Sequence, residues 1–351
     1  MPGPPAEDRG TRTSDYDFAL PADRIAQQPL ARRDDSRLLV VRRESGEIEH
    51  GRFGDLVDLI APGNALVLNT TKVFRARLLG RRASGADAEI LLLREIGDGT
   101  WEAMVSPGGK LRPGRTVTIA PGFDVEILEI TDRRTRIVRP RTAGSVMEAI
   151  ETYGHVPLPP YIARTDIPAD VERYQTVYAN EPGSVAAPTA GLHFTSELLA
   201  GIEARGVRRA DVVLHVGAGT FKPVEVDDPA HHIMHEERFA VPAGTAATLN
   251  EVRRSGGAIW AVGTTCARTL ETAVRDDGTF TEQAGETRLF IRPPYRFRAV
   301  DKLITNFHLP RSTLVMLVAA FAGYELTMRA YREAVDEGYR FYSYGDAMVV
   351  L

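Results

Sequence analysis

The segments A-P-T-A-G-L-H-F-T-S-E-L-L, residues 187–199, and D-V-V-L-H-V-G-A-G-T, residues 211–220, decide how the chain is read. The first passes from a turn of small residues carrying Gly191 and His193 into a helix. Thr195 and Ser196 are N-cap residues, Glu197 suits the first turn, and Leu198, Leu199 and Ile202 form an apolar stripe that breaks at Gly206. The second segment is a strand over 211–216 that ends in glycines. The same strand, polar turn and helix recur downstream. A strand at 258–262 leads through Gly263-Thr264-Thr265 into a helix over 266–274, and one at 303–307 leads through His308 and Arg311 into an apolar helix over 313–322. An amphipathic helix over 325–337 stops at Gly338, and the chain closes on a strand at 347–351. Units in this order define an α/β core, in which ligands meet the chain where strands end and turns begin. The pattern alone leaves a barrel and an open sheet as alternatives.

Working outward, strands at 38–41 and 65–68 and a short helix over 53–60 belong to the same core. Between them the character changes. Short alternating runs at 88–93, 101–105, 116–119, 125–130 and 136–138, separated by Gly, Pro and Asp, predict a small antiparallel β module. The expected organisation is therefore a disordered tail at 1–14, an α/β catalytic core at 15–74 and 151–351, and an inserted β domain at 75–150. The insert holds thirteen Lys and Arg against ten Asp and Glu, a net +3, and the remainder thirty against thirty-seven, a net −7. A mildly basic β module in an acidic chain is what an RNA-touching insert would look like, although an uneven surface gives the same small difference.

The 351 residues suffice for two domains with a well-buried core. A formal net charge of −4 shows no global basicity. The single cysteine, Cys266, precludes an internal disulfide and a three-cysteine iron–sulfur cluster, and fits a reducing cytosol. The first fourteen residues lack the apolar run of a signal peptide, and the longest apolar run, 314–321, is too short to span a bilayer. A cytoplasmic location is expected.

Four turns carry candidate chemistry. Val212 to Thr220 resembles the strand and G-x-G loop of class I methyltransferases, with Gly217 and Gly219 at the glycine positions. Pro223, however, blocks the helix that should follow. His231, His232 and His235, with Glu236 and Glu237, are spaced as metal ligands can be, but lack an evident further ligand, so no metal is expected. The Gly263-Thr264-Thr265 turn offers hydroxyls and N–H groups at a helix start, with Arg268 adding charge; ordinary helix capping accounts for it equally well. Asn306 to Thr313 has the same architecture, with Pro310 near the first helical position.

A series of blocks runs along the chain: D-Y-D-F-x-L-P (15–21), S-R-L-L-V (36–40), L-V-L-N-T-T-K-V (66–73), A-P-T-A-G-L-H-F-T (187–195), H-V-G-A-G-T-F-K-P-V (215–224), H-x-M-H-x-E (232–237), A-V-G-T-T (261–265), R-T-L-E (268–271), L-I-T-N-F-H-L-P-R-S-T-L (303–314) and Y-S-Y-G-D-A-M (342–348). Taken together they closely resemble one family, the S-adenosylmethionine:tRNA ribosyltransferase-isomerases of queuosine biosynthesis. The likeness runs from Asp15 to Leu351. Cys266-Ala267 stand where the family more often has Ser-Val, and Pro294 where Gly is more usual.

The resemblance implies a distorted α/β barrel-like core with an inserted small antiparallel β-barrel. It also implies a reaction in which the ribosyl part of S-adenosylmethionine moves onto 7-aminomethyl-7-deazaguanine at the tRNA wobble position. The products are epoxyqueuosine-tRNA, adenine and methionine. No cofactor beyond this co-substrate is expected. The sulfonium acidifies the ribose 5′ C–H and is a good leaving group, so the protein need supply only acid–base groups and a dry site. On this reading His193 is the expected general base and His215 or His308 the proton donor. Arg268, Arg311 or the Thr264/Thr265 turn would hold the methionine carboxylate. Gly191, Gly217 and Gly219 would lie against the ligand, and Tyr344 and Asp346, in the aromatic segment with Phe341 and Tyr342, would complete the binding site. The anticodon loop would present its wobble base splayed out, with Arg75, Arg77, Arg133 and Arg134 among the arginines meeting its phosphates. A monomer with no membrane partner is expected. An RNA methyltransferase and a non-catalytic RNA-binding protein are the alternatives; release of adenine, of S-adenosylhomocysteine or of neither separates the three.

Overall fold

The computed structural model describes residues 9–217 and 224–351. In chain order the strands of the first half are β1 (Arg37–Val41), β2 (Ile48–Arg52), β3 (Ala65–Asn69), β4 (Thr71–Val73), β5 (Arg77–Arg82), β6 (Asp87–Gly97), β7 (Thr100–Ser106), β8 (Thr116–Ala120), β9 (Phe123–Ile130) and β10 (Arg136–Thr142). Those of the second half are β11 (Glu181–Ser184), β12 (Arg208–Leu214), β13 (Glu237–Val241), β14 (Ile259–Val262), β15 (Gln283–Thr287), β16 (Lys302–Asn306) and β17 (Ala347–Val350). Nine of them form one mixed sheet in the order β15-β13-β12-β3-β14-β16-β17-β1-β2. Its edges, β15 and β2, do not pair with each other, so the core sheet stays open, which the sequence pattern had not settled.

The central strands carry continuous apolar runs, 65–68 in β3 and 259–262 in β14, because both faces of the sheet are covered. Leu39, Val41, Val67, Ala261 and Leu303 point into one buried cluster, and Leu38, Val40, Leu66, Leu68, Trp260 and Ile304 into the other. The period of two divides each strand between two cores. Helices Ala243–Arg254, Gly263–Ala273, Thr313–Ala322 and Tyr324–Asp336 cover the first face, and Ser196–Ala204 helps to cover the second. Among the described residues no single helix is long and apolar enough to cross a membrane. The pair Thr313–Ala322 and Tyr324–Asp336 reaches that length only across a 118° bend, and its first member is packed in the core.

Strands β5 to β10 close into a separate antiparallel barrel, β10-β7-β6-β5-β8-β9. Leu78, Ile90, Leu92, Val117, Val125, Ile127 and Val138 are fully buried in it, at alternate positions along their strands. Two expectations needed revision here. Strand β5 and helix Val146–Tyr153 were not anticipated, because R-L-L-G-R-R is polar on its outer face and the helix is only two turns long. Nor does the tail at 1–14 remain loose over 9–14: the Thr13 N–H donates to the Asp227 carbonyl at 2.9 Å, and the Tyr16 hydroxyl to that of Gly10 at 2.7 Å.

Candidate active site

Strands β12, β3, β14 and β16 run parallel as adjacent neighbours, so their carboxyl ends lie along one edge of the sheet. Strand β17 is antiparallel to β16 and β1 is parallel to β17, which brings the starts of β17 and β1 to that same edge. Segments distant in the chain converge there: the 187–193 turn, Gly263 to Thr265, Thr305 to His308, and the loop 342–346 before β17. They enclose a cavity of about 60 Å³ whose wall includes Ala190, Thr264, Thr265, Asn306, His308 and Ser312, together with Tyr161, Tyr342 and Ser343. Gly263 opens the helix Gly263–Ala273 at φ +89°, a conformation that glycine adopts without a Cβ penalty, and this helix has no side-chain N-cap. Its first N–H groups are thus free of side-chain competition beside the cavity, where they favour negative charge.

The expected catalytic histidines do not share this cavity. His308 lines it, His215 lines a different and larger cleft, and His193 lies behind Asn306 on a small third pocket with Arg33, Arg340 and Tyr344. His193 is buried, stacks on Phe53 at 5.0 Å, and has both ring nitrogens engaged: Nδ1 with Ser36 Oγ at 2.7 Å and Nε2 with Asn306 Nδ2 at 3.0 Å. Burial, reinforced by Arg340 and Arg33, pulls its pKa down to about 3. With both ring nitrogens engaged and the imidazole outside the cavity, this arrangement does not favour the base role expected of His193. His308 differs. Its Nε2 meets Thr305 Oγ1 at 2.7 Å, while Nδ1 holds no hydrogen bond among the described residues. Burial alone brings its pKa to about 3, so it stands at the cavity wall as a neutral imidazole.

Tyr342 sits at φ +71°, an unfavourable conformation for a bulky residue. Backbone bonds hold it there: its N–H donates to the Phe307 carbonyl at 3.1 Å, and its carbonyl accepts from Gly345 N–H at 3.0 Å. The result is a ring centred 4.5 Å from that of Tyr161, whose hydroxyl hydrogen-bonds Ser343 Oγ at 2.7 Å. Neither Tyr161 nor Ser343 was anticipated. Tyr161 follows the Pro-rich 157–160 run and carries no pattern that marks it, and Ser343 is brought in only by the strained turn.

The cleft that His215 faces measures about 610 Å³ and lies between the barrel and the core sheet. Arg94, Arg133 and Arg134 line it from the barrel with Phe74 and Trp101, and Gly217, His235 and Arg238 from the core; Val216 borders both this cleft and the small cavity. His215 Nδ1 pairs with Thr71 Oγ1 at 2.8 Å, and burial followed by the charge of Arg238 lowers its pKa. Asn69, another residue not anticipated, ties β3 to β12 with both ends of its amide, donating to the Leu214 carbonyl at 2.9 Å and accepting from its N–H at 3.0 Å.

Several expected ligand-binding residues hold partners within the chain. Arg268 is buried and ion-paired with Glu237, whose other oxygen accepts the Gly217 N–H at 3.2 Å. Arg311 is half exposed, paired with Asp17, and outside the cavity. The Tyr344 hydroxyl donates to Asp170 at 2.8 Å, and buried Asp346 accepts the backbone N–H groups of Arg37 at 3.0 Å and Arg340 at 2.8 Å. Gly191 lies in the 3₁₀ turn Thr189–His193, packed on Tyr178 rather than facing the cavity. Gly219 lies outside the described residues. Thr264 and Thr265 do line the cavity. Of the four arginines expected to meet tRNA, Arg133 and Arg134 face the cleft. Arg77 instead forms a two-bond pair with Glu89, and Arg75 donates to the Glu151 carbonyl. His231 is exposed near Asp228, and His232 packs edge-on against Phe290. Cys266 is fully buried with its thiol pKa pushed up, in keeping with a packing role.

Fold and site define an α/β enzyme class: a mixed sheet with its cavity at the carboxyl ends of parallel strands, and a closed β-barrel that forms one wall of a large cleft lined by both arginines and glutamates. A model for the family described as queuosine biosynthesis protein matches residues 13–350. The S-adenosylmethionine:tRNA ribosyltransferase-isomerase of Symbiobacterium thermophilum is 52% identical over 342 residues, which are 97% of this chain and all of that protein. The enzyme of the same name from Thermotoga maritima is 49% identical over 342 residues, again 97% of this chain and all of the relative. The crystal structure of an S-adenosylmethionine tRNA ribosyltransferase from Thermotoga maritima superposes with a TM-score of 0.55 at 39% identity, covering 96% of this chain and 99% of that one. The chain belongs to the queuosine biosynthesis protein family.

Proposed function

We infer that this chain is an S-adenosylmethionine:tRNA ribosyltransferase-isomerase. It transfers and isomerises the ribosyl moiety of S-adenosylmethionine onto 7-aminomethyl-7-deazaguanine at the tRNA wobble position, leaving adenine and methionine. The observation that carries this reading is the near-complete, roughly half-identical match to enzymes of that name. The reaction draws on no separate cofactor, because the sulfonium itself supplies the acidity and the leaving group. Two adjoining spaces suit two substrates. The small cavity, with a helix N-terminus and neutral polar groups, receives part of the sulfonium nucleoside. The larger cleft, with its arginines and aromatic rings, receives the anticodon loop and its everted base. Their common border at Val216 is where the two reacting centres meet.

Proton transfer at the nucleoside falls to His308, the only one of the three expected histidines on the cavity wall. Thr264 and Thr265, at the uncapped helix start, take the methionine carboxylate. The protein acts as a monomer in the cytoplasm. Incubation with labelled S-adenosylmethionine and tRNA bearing the precursor base tests the reading: free adenine and methionine are expected, whereas S-adenosylhomocysteine would mark a methyltransferase and unchanged co-substrate a mere binder. His308→Gln should slow single turnover by about 100-fold, the ordinary contribution of one acid–base group.

A further inference from the structure

The hydrogen bonds behind the cavity run in one direction and leave one group over. The Tyr342 carbonyl can only accept, so the Asn306 atom 3.2 Å from it is the amide nitrogen. That same nitrogen lies 3.0 Å from His193 Nε2, which must therefore accept. The proton of the neutral imidazole then sits on Nδ1 and is donated to Ser36 Oγ, whose own hydroxyl donates to the Arg33 carbonyl at 3.2 Å. The polar atoms of this relay are engaged except Asn306 Oδ1, which is buried without a partner among the described residues, on a side chain that lines the cavity. An unpaired buried acceptor costs about 1–3 kcal/mol, and the relay prevents the amide from turning to relieve it.

We propose that Asn306 Oδ1 accepts a hydrogen bond from the exocyclic amino group of the adenine of S-adenosylmethionine, with Ser36 and His193 as positioning residues that hold the amide in this orientation. The proposal rests on the reading of the co-substrate given above. A group donating there must be an N–H or O–H. Arg33 and Arg340 line the pocket behind Asn306 together with His193, and positive charge on that side suits a neutral amine better than the co-substrate's α-ammonium. The rings of Tyr161 and Tyr342, which also line the cavity, offer aromatic surface for a planar heterocycle to lie against. A 6-oxo purine would set its carbonyl against Oδ1, acceptor to acceptor, so the relay selects adenine over hypoxanthine.

The test compares S-adenosylmethionine with its deaminated analogue, S-inosylmethionine, as co-substrates for precursor tRNA. The parent enzyme should show kcat/KM lower by about 100-fold or more for the inosyl compound, as expected where a site's buried polar group is left unpaired. In Asn306→Leu the two compounds should differ by no more than a few-fold. His193→Phe, which cannot accept from Asn306, should lose discrimination likewise. His193→Gln should recover it, because its amide oxygen can accept. A purely structural role for His193 would change stability or overall rate without altering the amino-to-oxo ratio. An analogue lacking the α-amino group serves as the second arm: its penalty should be the same in the parent and in Asn306→Leu. Equal use of both purines by the parent, or discrimination preserved in Asn306→Leu, overturns the proposal. Failure of the parent to release adenine from S-adenosylmethionine strikes the activity reading instead. Calorimetric binding of adenine against hypoxanthine to the parent and to Asn306→Leu then decides the acceptor role independently, with a preference lost in the variant expected and an equal preference in both overturning it.

Discussion

Arg268→Met removes one partner of the most deeply buried ion pair described in the molecule. The Glu237 and Arg268 side chains are only 5% and 7% exposed, and Glu237 also accepts the Gly217 N–H where the chain leaves β12. Methionine fills nearly the same volume, so the change is chiefly polar: the Glu237 carboxylate loses its cationic partner in a dry site, and the Leu289 carbonyl loses the Arg268 Nε–H that donates to it at 3.0 Å. Breaking a buried pair by deleting one partner costs about 3–5 kcal/mol. With an unfolding entropy of about 2 cal/mol/K per residue over 351 residues, that corresponds to a fall in Tm of roughly 4–7 °C. Differential scanning calorimetry with matched urea titrations measures it. Replacing both partners, Arg268→Met with Glu237→Leu, removes the stranded charge and should restore most of the loss, since an apolar pair of similar volume often replaces a buried ion pair at no net cost. If the single variant stayed within about 0.5 kcal/mol of the parent, or the double variant were no better than the single, Arg268 would not be the internal partner of Glu237 described here and its assignment to substrate would reopen.

Gly191→Ala would place a Cβ 2.0 Å from the Tyr178 hydroxyl and 2.8 Å from Thr176 Cγ2 in a buried turn, so a loss of about 3 kcal/mol or more is expected; an unshifted melting curve refutes the packing. His193 and His308, ordinarily near 6.5, are held at about 3 by burial. The unfolded chain therefore binds more protons between those values, and stability should fall as pH drops from about 6.5 toward 3, by up to about 1.4 kcal/mol per pH unit for each histidine. Urea midpoints that stay level from pH 7.5 to 4.5 would contradict this, and a buried neutral substitute such as His308→Gln should shallow the slope. Arg133→Ala and Arg134→Ala, both on the cleft, should weaken tRNA binding and each lower the salt slope of log Kd by about 1, whereas Arg77→Ala, paired to Glu89, should leave the slope alone; filter binding at several salt concentrations decides.

Local patterns determined much of this protein. The strands at 38–41, 65–68 and 258–262 were legible because two-sided burial makes them continuously apolar, and the helix at 196 because Thr195 is its cap, accepting from the Leu198 N–H at 3.1 Å. The glycine- and proline-punctuated alternation over the insert marked a β module, and the order of the motif blocks marked the family. Strand β15 escaped because Q-A-G-E-T has no apolar run, and β13 because only Phe239 to Val241 of it is apolar; their pairing near the sheet edge is non-local. Sequence also placed polar turns at strand ends, but not which of them converge. That depends on parallel neighbours: β12, β3, β14 and β16 bring their ends together, and the reversal at β17 adds Tyr342 and Ser343. Residue type nominated three histidines equally. Only tertiary contacts separated them, because a histidine's chemistry is set by which ring nitrogens are already bonded and how dry its surroundings are. Those contacts left His308 on the cavity wall, His215 on the cleft, and His193 fixed between Ser36 and Asn306.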